Sequence, residues 1–394
     1  MKGKVCGDFC EFTLDKGHFI TGDIVLVQKG IKFRAYPTKE QQNLMNRTFG
    51  CCRFIYNRAL NMRINAYKNR EKVGYNQTSS MLTAMKRIED FAFLCEVDSI
   101  ALQQSLRDLN TAFKNFFEQR AGYPKFKSKH NHWQSYRTIN QNNKIRIVDN
   151  YIKLPKLGYV KIKRSISDIG EINSATVKRS PSGKYYIPLN VNFEPVQTPA
   201  SNEAIGVDVG IKEFYATSTG DKVDNPKHLE HAKKRLAREQ RKLSRRTKGS
   251  RNYEKQRIKV AKVHERVVNQ RNDFLQQKST KLIRENQTIC VEDLNIKGML
   301  RNRHLSKAIS SVSWSKFFDM LEYKAKWYGR TIVRIPTFYP SSQTCSCCGY
   351  KNPLVKDLKV REWVCPQCHT VHDRDINAGI NILNKGLAML AVSA

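Results

Sequence analysis

Four cysteines near the C-terminal end constrain the fold of this chain more than any other feature: Cys345-x2-Cys348, sixteen intervening residues, then Cys365-x2-Cys368. Each Cys-x2-Cys turn can present two sulfurs to one ion, and two such turns complete the tetrahedral thiolate set that zinc prefers. Four close ligands leave no open coordination position. The quartet therefore reads as a structural zinc knuckle, holding a small hairpin with too little apolar core of its own. Disulfides are the competing reading. Eleven cysteines are an odd number and no secretory pattern opens the chain, which favours a reduced, cytoplasmic, nucleoid-associated protein. Cys347 stands between the ligands as a spectator, or as a substitute for Cys345 or Cys348, and His369 is a weaker fifth candidate. The acidic run His372-Asp373-Arg374-Asp375-Ile376-Asn377 follows at once, setting a carboxylate able to hold catalytic metal beside the structural one.

Charge sets the class of partner. Seventy Lys and Arg against thirty-five Asp and Glu give a formal charge of +35 over 394 residues. Such an excess opposes compaction unless a polyanion binds, so nucleic acid is the expected partner rather than a solvated basic surface. Basic residues recur in every region and alternate with Tyr, Phe and Trp, which can stack on bases. No apolar run reaches the roughly 18 residues of a membrane span.

Residues 1–29, with Cys6 and Cys10, show no clear period and read as an appendage. Alternation over Ile31 to Tyr36 predicts a strand, which Pro37-Thr38 ends while offering a helix cap. A helical period runs from Glu40 to Lys68, with Leu44, Phe49, Phe54, Ile55, Leu60 and Ile64 on its apolar stripe and Gly50 as a weak point. A second helical block covers Ser79 to Gln119, broken near Glu96-Val97-Asp98. Short alternating segments follow at Ile145 to Val148, Tyr151 to Leu154, Tyr159 to Ile162, Ala175 to Lys178 and Tyr185 to Val191. Pro188 lacks an N–H, which places the last of these at an edge or bulge. The segments predict a β-barrel completed by Ile31 to Tyr36, with the helical bundle inserted between its strands, and a linker from Pro195 to Ser201.

Beyond the linker, Ala204 to Ile211 is an apolar strand with Asp208 at its centre. A charge there is costly without metal or partner, although an Asp in a turn between Gly206 and Gly210 is the plainer reading. It loses force because a second apolar strand, Thr288 to Val291, also ends in acids at Glu292-Asp293, and Asp373 and Asp375 form a third cluster. The acids are 84 residues apart (208 to 292) and 83 apart (292 to 375), so only folding can bring them together. Converging carboxylates suit two Mg²⁺ ions about 3.5–4 Å apart, which activate water and steady the leaving oxygen of a phosphodiester. Between the first two acids, His231 to Arg271 holds sixteen Lys or Arg against Glu239, Glu254 and Glu265, with a turn at Thr247-Lys248-Gly249-Ser250. This basic helical pair reads as a surface that tracks a nucleic-acid backbone, against the plainer reading of a solvated face.

Five motifs together carry a family resemblance: Gly206-Val-Asp-Val-Gly-Ile-Lys, Val291-Glu-Asp-Leu, Pro340-Ser-Ser-Gln-Thr-Cys-Ser-x-Cys-Gly, Arg361-x-Trp-x-Cys-x-x-Cys and His372-Asp-Arg-Asp-x-Asn-Ala. Over about residues 30–390 the chain resembles TnpB, the transposon-encoded RNA-guided DNA endonucleases related to type V CRISPR effectors. The resemblance implies an α+β multidomain protein: a wedge-like β-barrel with an inserted helical bundle, plus a RuvC-like nuclease domain of RNase H fold with an inserted four-cysteine zinc knuckle. On this frame 1–29 is an extension, 30–38 the first wedge strand, 39–128 the recognition bundle and 129–197 the wedge barrel. Residues 198–343 and 370–394 form the nuclease, and 344–369 the target nucleic-acid-binding knuckle.

The resemblance further implies a Mg²⁺-dependent endonuclease that cuts double-stranded DNA beside a short flanking motif through a single centre. Asp208, Glu292 and Asp375 would be its metal-binding catalytic acids, with Asp293, Asp373 and Arg374 orienting them. Two Mg²⁺, one structural Zn²⁺ on Cys345, Cys348, Cys365 and Cys368, and a guide RNA from the transposon end are the implied cofactors and partner. Tyr75 and Gln103 fall where relatives contact the flanking motif, or are ordinary helix-surface residues. A guided DNA-binding regulator without cleavage, and an unguided RNase H-like nuclease or transposase, are the alternatives. Two departures stand out: His369 replaces the family's usual Gly after the second Cys-x2-Cys, and Gly379 replaces Ala in Asn-Ala-Ala.

Overall fold

Alternation of inward apolar and outward polar residues builds the larger of the two main sheets of the protein, whose computed structural model describes residues 20–21, 24–25, 27–163, 169–195, 199 and 202–393. The expected N-terminal extension and the 195–201 linker lie mostly outside the described residues. Two compact units emerge: residues 1–194 with 247–262, and residues 195–246 with 263–394.

In the first unit a two-residue pair, β1 (Ile20–Thr21) and β2 (Ile24–Val25), precedes β3 (Val27–Tyr36), which inserts Ile31, Phe33 and Ala35 into the core. Helix α1 (Lys39–Lys68) starts at a capping box in which the Thr38 hydroxyl and the Gln41 side chain satisfy each other's backbone N–H groups. It runs unbroken through Gly50, which therefore is no hinge. Helices α2 (Tyr75–Met85) and α3 (Ser99–Phe117) follow, the break between them closed by Asp98, whose carboxylate caps Ile100 N–H at 3.0 Å. Leu102, Leu106 and Leu109 of α3 meet Phe49, Ile55 and Leu60 of α1 in the same core.

Strands β4 (Gln134–Ile139), β5 (Arg146–Val148), β6 (Tyr151–Leu154), β7 (Gly158–Lys163), β8 (Glu171–Arg179) and β9 (Tyr185–Phe193) join β3 in a seven-stranded antiparallel sheet of order β4-β8-β9-β3-β7-β6-β5. The sheet has edges at β4 and β5, so it is a half-barrel rather than a closed one. β4 escaped the hydropathy pattern because its inward residues are Tyr136 and Thr138. Pro188 corrects an expectation: it lies in a central strand, opposite Lys32 of β3. The β8–β9 register is the same on both sides of the proline, Ala175 with Leu189 and Lys178 with Tyr186, so the missing donor interrupts the ladder toward β8 without shifting the strands.

The second unit is organised by a five-stranded sheet. Antiparallel β10 (Ala204–Val209), β11 (Glu213–Thr217) and β12 (Lys222–Asp224) are extended beside β10 by the parallel strands β13 (Thr288–Glu292) and β14 (Thr331–Ile335), in the order β12-β11-β10-β13-β14. Helix α4 (His228–Ser244) has no buried residue. Helix α5 (Arg251–Glu285) begins after the expected turn, in which Ser250 N–H reaches Thr247 C=O at 3.1 Å and Gly249 takes φ +88°. Short helices α6 (Ile296–Met299) and α7 (Ser306–Val312) lead to α8 (Trp314–Tyr328), where Phe317 meets Phe214 edge-on at 4.8 Å. Buried Lys324 of α8 donates to Gln276 C=O and to the hydroxyls of Ser279 and Thr280 on α5, satisfying all three of its protons. The cysteine segment adds a hairpin of β15 (Glu362–Val364) and β16 (Val371–Asp373), and α9 (Arg374–Ser393) closes the chain. Among the described residues no helix is long and apolar enough to cross a membrane.

Candidate metal centres

Strand register alone brings the first two acids together. β10 and β13 run parallel with Gly206 opposite Cys290 and Val207 opposite Val291, so one residue further Asp208 comes opposite Glu292 on the same face. That face is set by α9. A Cβ on Gly206 would stand 2.0 Å from Gly379 C=O and 2.7 Å from Leu383 N, and one on Gly386 would stand 2.3 Å from Cys290 Sγ. Backbone thus lies directly on backbone, and the helix N-terminus carrying Asp375 is delivered to the strand ends. Gly379 has its own reason to lack a side chain: a Cβ would meet Ser218 N at 2.8 Å. Gly206→Ala should push α9 off the sheet, destabilising the unit by about 1–3 kcal/mol or more. Thermal unfolding measures this, and an unchanged melting temperature would refute the backbone contact.

Asp208, Glu292 and Asp375 are each half-buried. Loss of solvent holds the Asp208 carboxyl well above the usual carboxylate range, and the charges of Glu292 and then Asp375 push it the same way, with Arg374 and Arg361 opposing. Burial also raises Glu292, against a hydrogen bond donated by the Ser341 hydroxyl. The three acids therefore feel one another, yet their oxygens are not drawn into a cluster within 4.8 Å as the cysteine sulfurs are. Asp375 instead accepts from Arg361 Nη1, which reaches both its oxygens at 3.4 Å.

The acids flanking these three have other duties. Asp373 caps α9, its Oδ1 accepting the N–H groups of Asp375 and Ile376 at 3.0 and 3.1 Å, while Lys222 Nζ sits 2.6 Å from Oδ2. Burial pushes this carboxyl up, but Lys222 and the two backbone donors outweigh it and hold it below its usual range. Asp293 pairs with Arg334 at 3.3 Å and accepts from Thr337. Buried Arg374 donates to Asp357 and Val360 C=O while its charge still acts on Asp208.

Asn377, inside a quoted motif, and Asn381, just beyond it, proved structural in a way their spacing could have announced. One turn apart on α9, they grip the backbone leading into the cysteine segment: Asn377 bonds Ser346 N–H and Thr344 C=O, and Asn381 bonds the carbonyls of Ser341 and Thr344. Ser341 in turn holds Glu292. A continuous path thus links Asp375, α9, the knuckle and Glu292.

The sulfurs of Cys345, Cys348, Cys365 and Cys368 lie within 4.8 Å of one another, a donor set that can hold one tetrahedral ion. Little else holds this segment together, since its buried apolar cluster is Cys345, Val355, Trp363 and Cys365, two of them ligand candidates. His372, unassigned by sequence, places Nε2 3.0 Å from Cys345 Sγ and lies under the Trp363 ring at 4.7 Å. With Cys345 and Cys347 it forms a second possible group, although Cys347 is exposed.

Each Cys-x2-Cys turn ends in a left-handed residue, Gly349 at φ +79° and His369 at φ +57°. The departure at His369 therefore carries a backbone cost of about 1–2 kcal/mol. His369→Gly should stabilise the knuckle by a net 0.5–1 kcal/mol, on the order of the gain left after glycine's extra unfolded-state entropy. Zinc release to a chelator should slow about 2- to 5-fold; faster release would mean that the exposed imidazole is itself a ligand.

A groove of about 600 Å³ in the first unit is lined by Tyr75, Gln104, Arg107 and Arg137 among others. Arg107 lies over the Tyr75 ring at 5.3 Å. Tyr75 thus faces a basic, polar groove, whereas Gln103 is exposed and its buried neighbour Gln104 lines the wall.

A half-barrel sheet, a second sheet with acids at the ends of its central strands and a metal-fit cysteine cluster make up a Cas12f-like α+β fold. The chain matches a solved Cas12f1–sgRNA–target DNA complex with a TM-score of 0.55 at 14% identity, covering 91% of this chain and 99% of that one, a likeness of fold alone. Family models match as an IS605 OrfB "Probable transposase" over residues 186–303, a "Cas12f1-like, TNB domain" over 314–382 and a "Helix-turn-helix domain" over 27–72. The last description does not suit the structure, where residues 27–72 are one strand and one unbroken helix. A Streptomyces pristinaespiralis protein named "Putative RNA-guided DNA endonuclease" is 42% identical over 93% of this chain and 91% of its own length. Escherichia coli InsQ, given the same description, is 32% identical over 92% and 93%. The chain belongs to the TnpB family, also called IS605 OrfB.

Proposed function

We propose that the protein is an RNA-guided DNA endonuclease that cleaves double-stranded DNA beside a short flanking motif, using two Mg²⁺ ions at Asp208, Glu292 and Asp375. The observation that carries this reading is the register of β10 and β13, which sets Asp208 beside Glu292 under the N-terminus of α9. The strand order, a three-stranded meander followed by two parallel strands, supports a RuvC-like domain of RNase H fold. Relatives named as RNA-guided DNA endonucleases support the guide and the DNA target.

The donor set fits the ions. Carboxylate oxygens are the hard ligands that Mg²⁺ selects, and a trio whose charges raise Asp208 is relieved by cations. When bound, the ions would supply an activated water and stabilise the leaving oxygen. The chain's own residues do the positioning. Ser341 fixes Glu292, Asp373 caps the helix that presents Asp375, and Arg361 pairs with Asp375 from the knuckle. With one centre and two strands, cutting is sequential. The thiolate quartet fits a structural zinc.

The half-barrel and the helices within 30–197 are proposed to hold the guide and the flanking duplex, with Tyr75 and Gln103 as motif contacts. The knuckle of residues 344–369 would hold target nucleic acid between the two nuclease segments, 198–343 and 370–394. Base pairing then supplies sequence specificity while the protein reads duplex shape and the motif. Plasmid cleavage by protein co-expressed with its locus RNA, on a guide-matched target beside a randomised flank, tests the reading. Cutting should need guide and Mg²⁺. Guided binding without cutting would favour the regulator, and cutting without guide the unguided nuclease.

A further inference from the structure

Phe338 is 92% exposed and holds φ at +68°. It stands third in a tight turn, Pro336 to Tyr339, closed by Tyr339 N–H on Pro336 C=O at 3.2 Å. A positive φ at that position is where a type II turn takes Gly or Asn. Here an aromatic residue bears the strained backbone, and its ring gains no burial in return. Strain held without a folding benefit points to a use for the side chain.

The turn is tied to the acid centre on both sides. Before it, Asp293 N–H donates to Ile335 C=O at 3.2 Å, and within it Thr337 Oγ1 donates to Asp293 Oδ2 at 3.3 Å. After it, the Ser341 hydroxyl holds Glu292. The backbone of the turn that carries the ring is thus tied to residues beside Glu292 and Asp293. A solvent-facing aromatic ring carried next to candidate phosphodiester chemistry matches a nucleobase, because every base offers a π face and stacking ignores sequence. That tolerance suits a nuclease whose specificity lies in a guide.

We infer that Phe338 is a substrate-positioning residue whose ring stacks on a base flanking the scissile phosphate and steadies the single strand in the acid centre. The inference rests on the nuclease reading above.

The test compares guide-loaded wild type, Phe338→Gly, Phe338→Leu and Phe338→Trp on a matched target below saturation. Phe338→Gly removes the ring and relieves the backbone, so it should melt no lower than wild type yet cut about 5- to 150-fold more slowly, the span of base–aromatic stacking. Phe338→Leu, apolar without a π face, should fall with it, and Phe338→Trp should cut at the wild-type rate or faster. Targets with an abasic site stepped through the nucleotides around the mapped cut should at one position slow wild type by a similar factor while leaving Phe338→Gly unaffected. Equal cutting by Phe338→Gly and wild type, or an equal abasic penalty in both, overturns the inference and leaves the nuclease reading intact. A wild type that cuts no matched target removes both.

Discussion

Asp208→Ala should abolish guided cleavage, slowing it at least about 10³-fold, while leaving guided binding of the target unchanged. Removing one of three converging carboxylates forfeits several kcal/mol of charge stabilisation, and each 1.36 kcal/mol is about tenfold in rate. Recognition is assigned to other residues, so a gel-shift with matched DNA should not change. Loss of binding together with cleavage would show that Asp208 supports the fold rather than the chemistry.

Its electrostatics predict the opposite effect on stability. Burial and two neighbouring acids raise the folded-state pKa of Asp208 above the ordinary 3.8. A raised carboxyl contributes stability that is full below the unfolded value and is lost as pH rises through the folded one. Above the unfolded value the raised carboxyl therefore burdens the metal-free fold. Asp208→Asn should raise the melting temperature measured in Mg²⁺-free buffer, by about 2–4 °C for each kcal/mol relieved. Mg²⁺ should stabilise wild type more than the variant, because binding to the folded state alone adds stability by mass action. Wild-type cleavage should fall as pH drops toward the raised carboxylate range, where protons compete with the ions. A variant that melts lower in Mg²⁺-free buffer at neutral pH would contradict this account.

Cys365→Ser should reduce zinc from one ion per chain to almost none and unfold the knuckle. Structural zinc in small domains contributes about 10–16 kcal/mol of apparent binding energy, and this segment has little apolar core to replace it. The damage should reach the acids. Arg361 pairs with Asp375, Arg374 anchors on Asp357 and Val360, and Asn377 and Asn381 clasp residues 341–346. Cleavage should fall about 10²-fold or more, the scale of a misplaced catalytic group. Cys347→Ser should leave zinc content unchanged. Metal analysis decides: a full zinc complement in Cys365→Ser would assign the ion to Cys345, Cys347 and His372 instead.

Much of this was legible before folding, for a local reason. The capping Thr38, the helix of residues 39–68, the turn at Gly249 and the paired Cys-x2-Cys turns are written in near-neighbour chemistry that short segments obey alone. Asp208 and Glu292 stood out because each interrupts or closes an apolar run, where an ion is costly, while Asp375 was picked out within its acidic cluster by the family resemblance. β4 stayed hidden because its inward residues are Tyr and Thr, and Pro188 was misplaced because an interrupted ladder two strands wide is invisible along one strand.

The sequence by itself determined the candidate donors: four thiols in two turns, three carboxylates proposed as metal ligands, and a basic excess that suits a polyanion. Only the tertiary structure decided which groups meet. The parallel register sets Asp208 against Glu292, and glycines at 206, 379 and 386 let α9 lie on the sheet so that Asp375 joins them. Register and backbone contact are relations between segments more than eighty residues apart. Their energies come from packing across those segments, which no local pattern encodes.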